Sequence, residues 1–246
     1  PPRAPPPPAP PAAPAAPQSP VLLAAAAAQG LEIRGQVARA AGGLVFHLAF
    51  ANGSAQALDG FQIQFNKNTF GLAPGQLQLP AIPPGGSAST VLPLSTGGAV
   101  APPPASAVLQ IAIKNRQQPV WYLTATLAVD QLFMADGILD RETYLNTWKS
   151  LPDANESTKH FAGVTVGSVD AWVARLKPQH VFFMAQRQLQ GTNQTVIYLS
   201  LKLPPATMVL VETTTTVGMP GVKCCIKTAS PDVSPLVFDA LESIMA

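Results

Sequence analysis

From Leu31 to Leu127, apolar residues recur at every second position in short runs, and Gly or Pro ends almost every run. Leu31-Glu-Ile-Arg-Gly-Gln-Val37 puts Leu31, Ile33 and Val37 on one face. Leu44 to Phe50 does the same with Leu44, Phe46, Leu48 and Phe50, and Asn52-Gly53 follows as a turn. A period of two is incompatible with helix, whose buried stripe repeats every three or four residues. Further strands are predicted over Phe61 to Phe65, Gln76 to Leu79, Thr90 to Leu94, Val108 to Ile113 and Val120 to Leu127. Breakers such as Pro83-Pro84-Gly85-Gly86 and Pro102-Pro103-Pro104 separate them. Many short strands with no helical stretch predict an antiparallel β sandwich.

After Asp136-Gly137 the pattern becomes mixed. Helices are predicted from Arg141 to Ser150, stopped by Pro152, and from Val169 to Lys177, capped by Ser168 and closed by Pro178. A last helix opens with Ser234 as its N-cap and Pro235 at the first helical position, with Val237, Leu241 and Ile244 as its apolar stripe. Strands lie near His160 to Val166, Val181 to Gln188, Thr195 to Leu203, Met208 to Thr215 and Val222 to Thr228. This second half reads as α+β, an antiparallel sheet with helices packed on it. The expected division is a Pro/Ala-rich hinge over residues 1–30, a sandwich over 31–134 and an α+β platform over 135–246. Eleven prolines fall in the first twenty residues, too many for a packed element. The chain begins without Met and reads as a piece of a longer polypeptide.

Composition narrows the function. Charged residues make up 11% of the chain and the net charge is only +2, without the basic stripe of a nucleic-acid binder. No segment reaches the ~18–20 apolar residues of a membrane span. Cys224 and Cys225 are adjacent on a predicted strand and point to opposite faces, so they are poorly placed to bridge; a reducing compartment is favoured. Three Asn-x-Ser/Thr triplets, at Asn52, Asn155 and Asn193, leave a secreted sandwich receptor as the reading from another class. His47, His160 and His180 share no metal-ligand spacing, and no phosphate loop or nucleophile motif is present. The expectation is a protein that is not an enzyme and uses no cofactor.

The segment Asp140 to Glu156 points instead to docking. It places Trp148 beside Lys149, turns at Pro152-Asp153 and ends on Glu156. An indole flanked by charges of both signs suits a peptide groove, although a helix tryptophan also serves as core. Glu212 interrupts the apolar run Met208-Val-Leu-Val211, Arg187 follows Val181 to Ala185, and Tyr198 is the odd member of its strand.

In these segments the chain resembles the C-terminal appendage, or ear, of the β-adaptin large subunits of clathrin adaptor complexes. Leu31-Glu-Ile-Arg-Gly35, Phe65-Asn-Lys-Asn-Thr-Phe-Gly71, Tyr144 to Pro152, Tyr198 to Leu203 and Pro231 to Ile244 match family segments in order. The resemblance covers residues 31–246. It implies an immunoglobulin-like sandwich followed by a platform whose groove takes short, often helical, motifs of accessory proteins and cargo adaptors. By the same resemblance Trp148 and Tyr198 would be aromatic walls, with Trp148→Ala leaving stability nearly unchanged. Glu156 and Glu212 would meet a partner's cation; Lys149 and Arg187 would meet its acids. A second site, for Phe-containing motifs and clathrin, would form around Tyr122 with Gln64, Asn66 and Lys67. Other adaptor subunits would join through the missing N-terminal part, at the cytoplasmic face of coated membranes. The appendage of α-adaptin or of coatomer is the nearest alternative.

Overall fold

The computed structural model describes residues 19–246. Its first half comprises β1 (Val21–Leu23), β2 (Leu31–Ala40), β3 (Gly43–Asn52), β4 (Gln62–Phe65), β5 (Ala73–Pro74), β6 (Ser87–Ser95), β7 (Val108–Lys114) and β8 (Trp121–Thr126). One sheet has the order β1-β2-β3-β6-β5 and the facing one β4-β7-β8. Alternation decides the packing: Ile33 and Val37 of β2, paired with Phe50 and Phe46 of β3, turn inward against Ile111 and Ile113 of β7. Phe46 and Phe65 meet edge-on across the sheets at 6.1 Å between ring centroids, and Phe50 and Phe61 lie tilted to each other at 5.1 Å. Gly35 sits inside β2 because a Cβ there would approach the Leu48 side chain at 2.8 Å and the Phe46 ring at 2.9 Å.

Three expectations for this half need correction. Residues 21–30 are not hinge: β1 adds to the edge of β2, and Leu23 and Ala28 are buried in the core. The remainder of the expected hinge, residues 1–18, lies outside the described residues. Gln76 to Leu79 forms no strand; Leu77 and Leu79 pack on the core from an extended, unpaired segment. Asn52 of the first glycosylation triplet is 1% exposed, its amide donating to the carbonyls of Gln56 and Ile82 at 2.8 Å each. It braces a turn and has no room for a glycan.

The second half contains α1 (Arg141–Ser150), β9 (Glu156–Thr165), α2 (Val169–Leu176), β10 (Phe182–Gln188), β11 (Gln194–Leu203), β12 (Thr207–Thr216), β13 (Pro220–Thr228) and α3 (Ser234–Met245). The strands form one antiparallel sheet in the order β10-β11-β12-β13-β9. One face, carrying Leu199, Val211 and Ile226, is buried beneath Trp172 and Leu176 of α2 and Val237 and Leu241 of α3. The other face receives α1. Ser234 is not the N-cap of α3: a 3-10 turn over Pro231–Val233 precedes the helix, so Ser234 is already helical and its buried hydroxyl has no partner.

The halves are joined by hydrogen bonds. Met134 N–H donates to the Lys202 carbonyl at 2.9 Å, Arg39 Nη1 to that of Pro178 at 3.1 Å, and His180 Nδ1 lies 2.7 Å from the Phe133 carbonyl.

Candidate peptide-binding groove

The groove is built outward from α1. Asp140 caps the helix, one carboxylate oxygen accepting from the Thr143 amide at 2.8 Å and the other from its hydroxyl at 2.6 Å. Those bonds hold the Asp140 carboxyl below its ordinary range. Tyr144 and Trp148 are one turn apart and therefore share a face. Tyr144, 3% exposed, donates its hydroxyl to the Val211 carbonyl at 3.0 Å and so fastens the helix to the central strand. Its ring stacks on Trp148 at 6.0 Å with 21° between planes, and meets Tyr198 edge-on at 5.9 Å.

The sheet supplies the floor. Tyr198, Glu212, Cys225 and Thr158 are direct cross-strand partners on β11, β12, β13 and β9, which places them in one row on the α1 face. At one end the Arg187 guanidinium lies 5.8 Å from the Tyr198 ring centroid. At the other, Lys227 Nζ lies 5.6 Å from the Trp148 centroid, 3.2 Å from Asp153 Oδ1 and 3.9 Å from Glu156 Oε2. The Cys225 thiol donates to Glu156 Oε1 at 3.1 Å. Burial, with help from Glu156 and Glu212, pushes that thiol up to about 11, so it stays protonated at neutral pH. Burial first and Glu212 second also raise Tyr144 and Tyr198 above the ordinary phenol range.

Trp148, Tyr198, Glu156, Arg187 and Glu212 thus belong to one surface, whereas Lys149 lies exposed beside it without an ion pair among the described residues. Trp148 is half-buried, neither core nor a free-standing wall. Sequence reasoning missed Tyr144, Cys225 and Lys227. Lys227 had a readable signal: it is a lone charge within the buried run Cys224 to Thr228.

Beside this row, a hollow of about 240 Å³ opens between α1 and β10. Tyr144, Leu145, Met184 and Tyr198 line it, with Arg141 and Arg187 at its rim. It offers an apolar socket flanked by two guanidiniums. A larger cleft of about 780 Å³, lined by Leu44, Leu94, Phe133 and Met134, separates the two halves. Part of its polar lining is engaged, Arg39 donating to the carbonyls of Pro178 and Asp130 and Asp136 pairing with Lys202, while Arg39 Nε is buried without a partner among the described residues.

On the sandwich, Gln64, Ala112 and Tyr122 are in register across β4, β7 and β8, so Gln64 and Tyr122 share the outer face. Tyr122 is 81% exposed. Asn66 joins them, its amide donating to Gln110 Oε1 at 2.8 Å, and two shallow hollows meet at Asn66 and Tyr122. Lys67 is exposed nearby but lines neither hollow. Among the described residues, no three His, Cys, Asp or Glu side chains converge as a metal site, and no helix is long and apolar enough to cross a membrane.

Comparison with known proteins agrees with this architecture. The adaptin C-terminal domain family matches residues 20–124, and the beta2-adaptin appendage, C-terminal sub-domain, matches residues 134–245. AP-1 complex subunit beta-1 of Mus musculus is 35% identical over 228 residues, covering 92% of this chain and 24% of that protein. The Homo sapiens subunit is likewise 35% identical, over 230 residues, with 92% and 24% covered. AP-1 complex subunit beta of Dictyostelium discoideum is 29% identical over 211 residues, covering 85% and 22%. The chain spans about a quarter of the length of these relatives. With both halves of the fold matched in order, the chain belongs to the β-adaptin family, of which it forms the C-terminal appendage.

Proposed function

We propose that this appendage is a non-enzymatic docking module of a clathrin adaptor β subunit, recruiting accessory proteins, cargo adaptors and clathrin to coated membranes at their cytoplasmic face. The observation that carries this is the half-buried Trp148, stacked on Tyr144 above a floor that holds cations at one end and carboxylates further along. A rigid indole, pre-positioned by its stack on Tyr144, makes a strong anchor because little side-chain freedom is lost when a partner covers it. The charges would orient an amphipathic peptide, its acids towards Arg141 and Arg187 and its base towards Glu212. Gln64, Asn66 and Tyr122 form the second surface, for Phe-containing motifs, and Lys149 and Lys67 supply peripheral charge to the two sites. Each site is small, so affinity for one motif is modest, and several appendages on one coat engage multivalent partners together.

Calorimetric titration with a helical Phe-x-x-Phe/Leu-x-x-x-Arg peptide tests the reading. Wild type binds in the micromolar range. Trp148→Ala loses about 30-fold or more, as expected for removal of a hot-spot aromatic, and Tyr122→Ala binds like wild type. A folded wild type that does not bind the peptide, or a Trp148→Ala variant that binds as well as wild type, would refute the assignment.

A further inference from the structure

We propose that the cleft between the two halves is a further docking site, separate from the groove and from the Tyr122 surface. Its occupant is an acidic peptide of a partner protein, with one bulky apolar side chain in the cleft and an adjoining carboxylate on Arg39.

Neither half makes this site alone. The sandwich supplies Arg39, Leu44 and Leu94, while Phe133, Met134 and His180 come from the connecting segment and the platform. At about 780 Å³ the cleft falls within the range of ligand pockets, roughly 300–1,000 Å³. Its walls are mainly apolar: Leu132, Phe133 and Pro204 are buried, and Leu44, Leu94 and Met134 are left half-buried. Covering those three side chains is the apolar part of the binding energy.

Arg39 gives the cleft its sign. It is half-buried near the end of β2, and its guanidinium is held by the carbonyls of Pro178, at 3.1 Å, and Asp130. Its amide donates to Gln131 Oε1 at 3.3 Å, which fixes the backbone there as well. None of these acceptors is charged. The Asp130 carboxylate accepts instead from the Gln131 side-chain amide at 2.6 Å. Two of the five guanidinium N–H donors are thus used, and Nε is buried without a partner. Asp136 lies at the rim, where Lys202 neutralises it, and His180 has committed Nδ1 to the Phe133 carbonyl. A partly desolvated cation with only neutral partners is unfavourable alone, and a ligand carboxylate relieves that state.

The shape of the mouth favours a peptide over a free amphipathic acid. Ala40, Ala41, Gly43, Ser95, Gly97 and Ala135 line the cleft and are exposed, so a chain can cross the rim while one side chain enters. A small free ligand is ordinarily enclosed over most of its surface.

Methyl spectra of protein carrying ¹³C-methyl methionine test this, because Met134 lines the cleft and Met184 the hollow beside the groove. The probes are acetyl-Gly-Phe-Glu-Gly-amide, its Glu→Gln and Glu→Lys forms, and decanoate. The acidic peptide shifts Met134 and leaves Met184 in place. It binds wild type about tenfold more tightly than the Gln form, the size expected of a hydrogen bond between charged groups, and the Lys form binds weakest. Arg39→Gln levels the three peptides. Leu44→Ser weakens all three by a common factor and keeps their order, so the charge effect stays measurable if Arg39→Gln folds poorly. A shift of Met184 without Met134, or no shift at all, would overturn the site. Equal binding of the Glu and Gln forms by wild type, or a preference that survives in folded Arg39→Gln, would overturn the role of Arg39. Decanoate shifting Met134 at lower concentration than the acidic peptide would assign the cleft to free amphipathic acids and overturn the peptide as its occupant.

Discussion

Replacing Trp148 by alanine lowers stability by an amount set between two limits. A fully buried tryptophan would cost about 3–5 kcal/mol on truncation, and a free-standing one almost nothing. The structure places Trp148 between them. Its stacking on Tyr144, at 6.0 Å and 21°, contributes roughly 0.5–1.5 kcal/mol. The Lys227 ammonium at 5.6 Å adds roughly 0.5–2 kcal/mol, since it is shielded from water. Lys227 keeps Asp153 and Glu156 in the variant, so no unpaired buried charge is created. The expected loss is about 2 kcal/mol. For a chain of this size, each kcal/mol lowers Tm by about 2–4 °C, giving a fall of about 4–8 °C by differential scanning calorimetry. A double-mutant cycle with Lys227→Met isolates the cation–ring part. A fall beyond about 12 °C would show Trp148 to be core. A Tm unchanged within about 1 °C would show that neither contact persists in solution.

Two further outcomes concern the supports of the groove. Ser234→Ala removes a buried hydroxyl without a partner from α3 and installs the best helix former, so stability should rise by about 1 kcal/mol; a loss of that size in denaturant unfolding would mean the hydroxyl is satisfied. Asp140, held below its ordinary 3.8 by Thr143, caps α1 most strongly as a carboxylate. Its contribution is complete above 3.8 and fades as pH falls through the lower folded value, so the Thr143 amide resonance should lose its downfield position there, and an Asp140→Asn variant should show no such titration.

Much of this fold was legible because period-two runs report which side chains are buried. α1 has the expected bounds, Arg141 to Ser150, because Pro152 marks its end chemically. The same signal misled at Gln76 to Leu79: alternation records a half-buried extended chain, whether or not its backbone pairs. Ser234-Pro235 looked like a helix start, but Pro231 had already begun a 3-10 turn upstream. In the groove, Trp148, Tyr198 and Glu212 were visible as residues out of character with their runs. Tyr144 was not, because an aromatic one turn from a tryptophan suits core equally well. Its role depends on the Val211 carbonyl, 67 residues away in sequence.

The row of Tyr198, Glu212 and Cys225 has a consequence for how such a module diversifies. Their chain neighbours Leu199, Val211 and Ile226 point to the opposite face and belong to the core. Selectivity and foldedness are therefore written on alternate letters of the same three strands. Substitutions at the outward letters can retune what docks while the inward ones keep the scaffold unchanged. A library randomised at 158, 198 and 212 would explore new ligands without paying for each in misfolded protein.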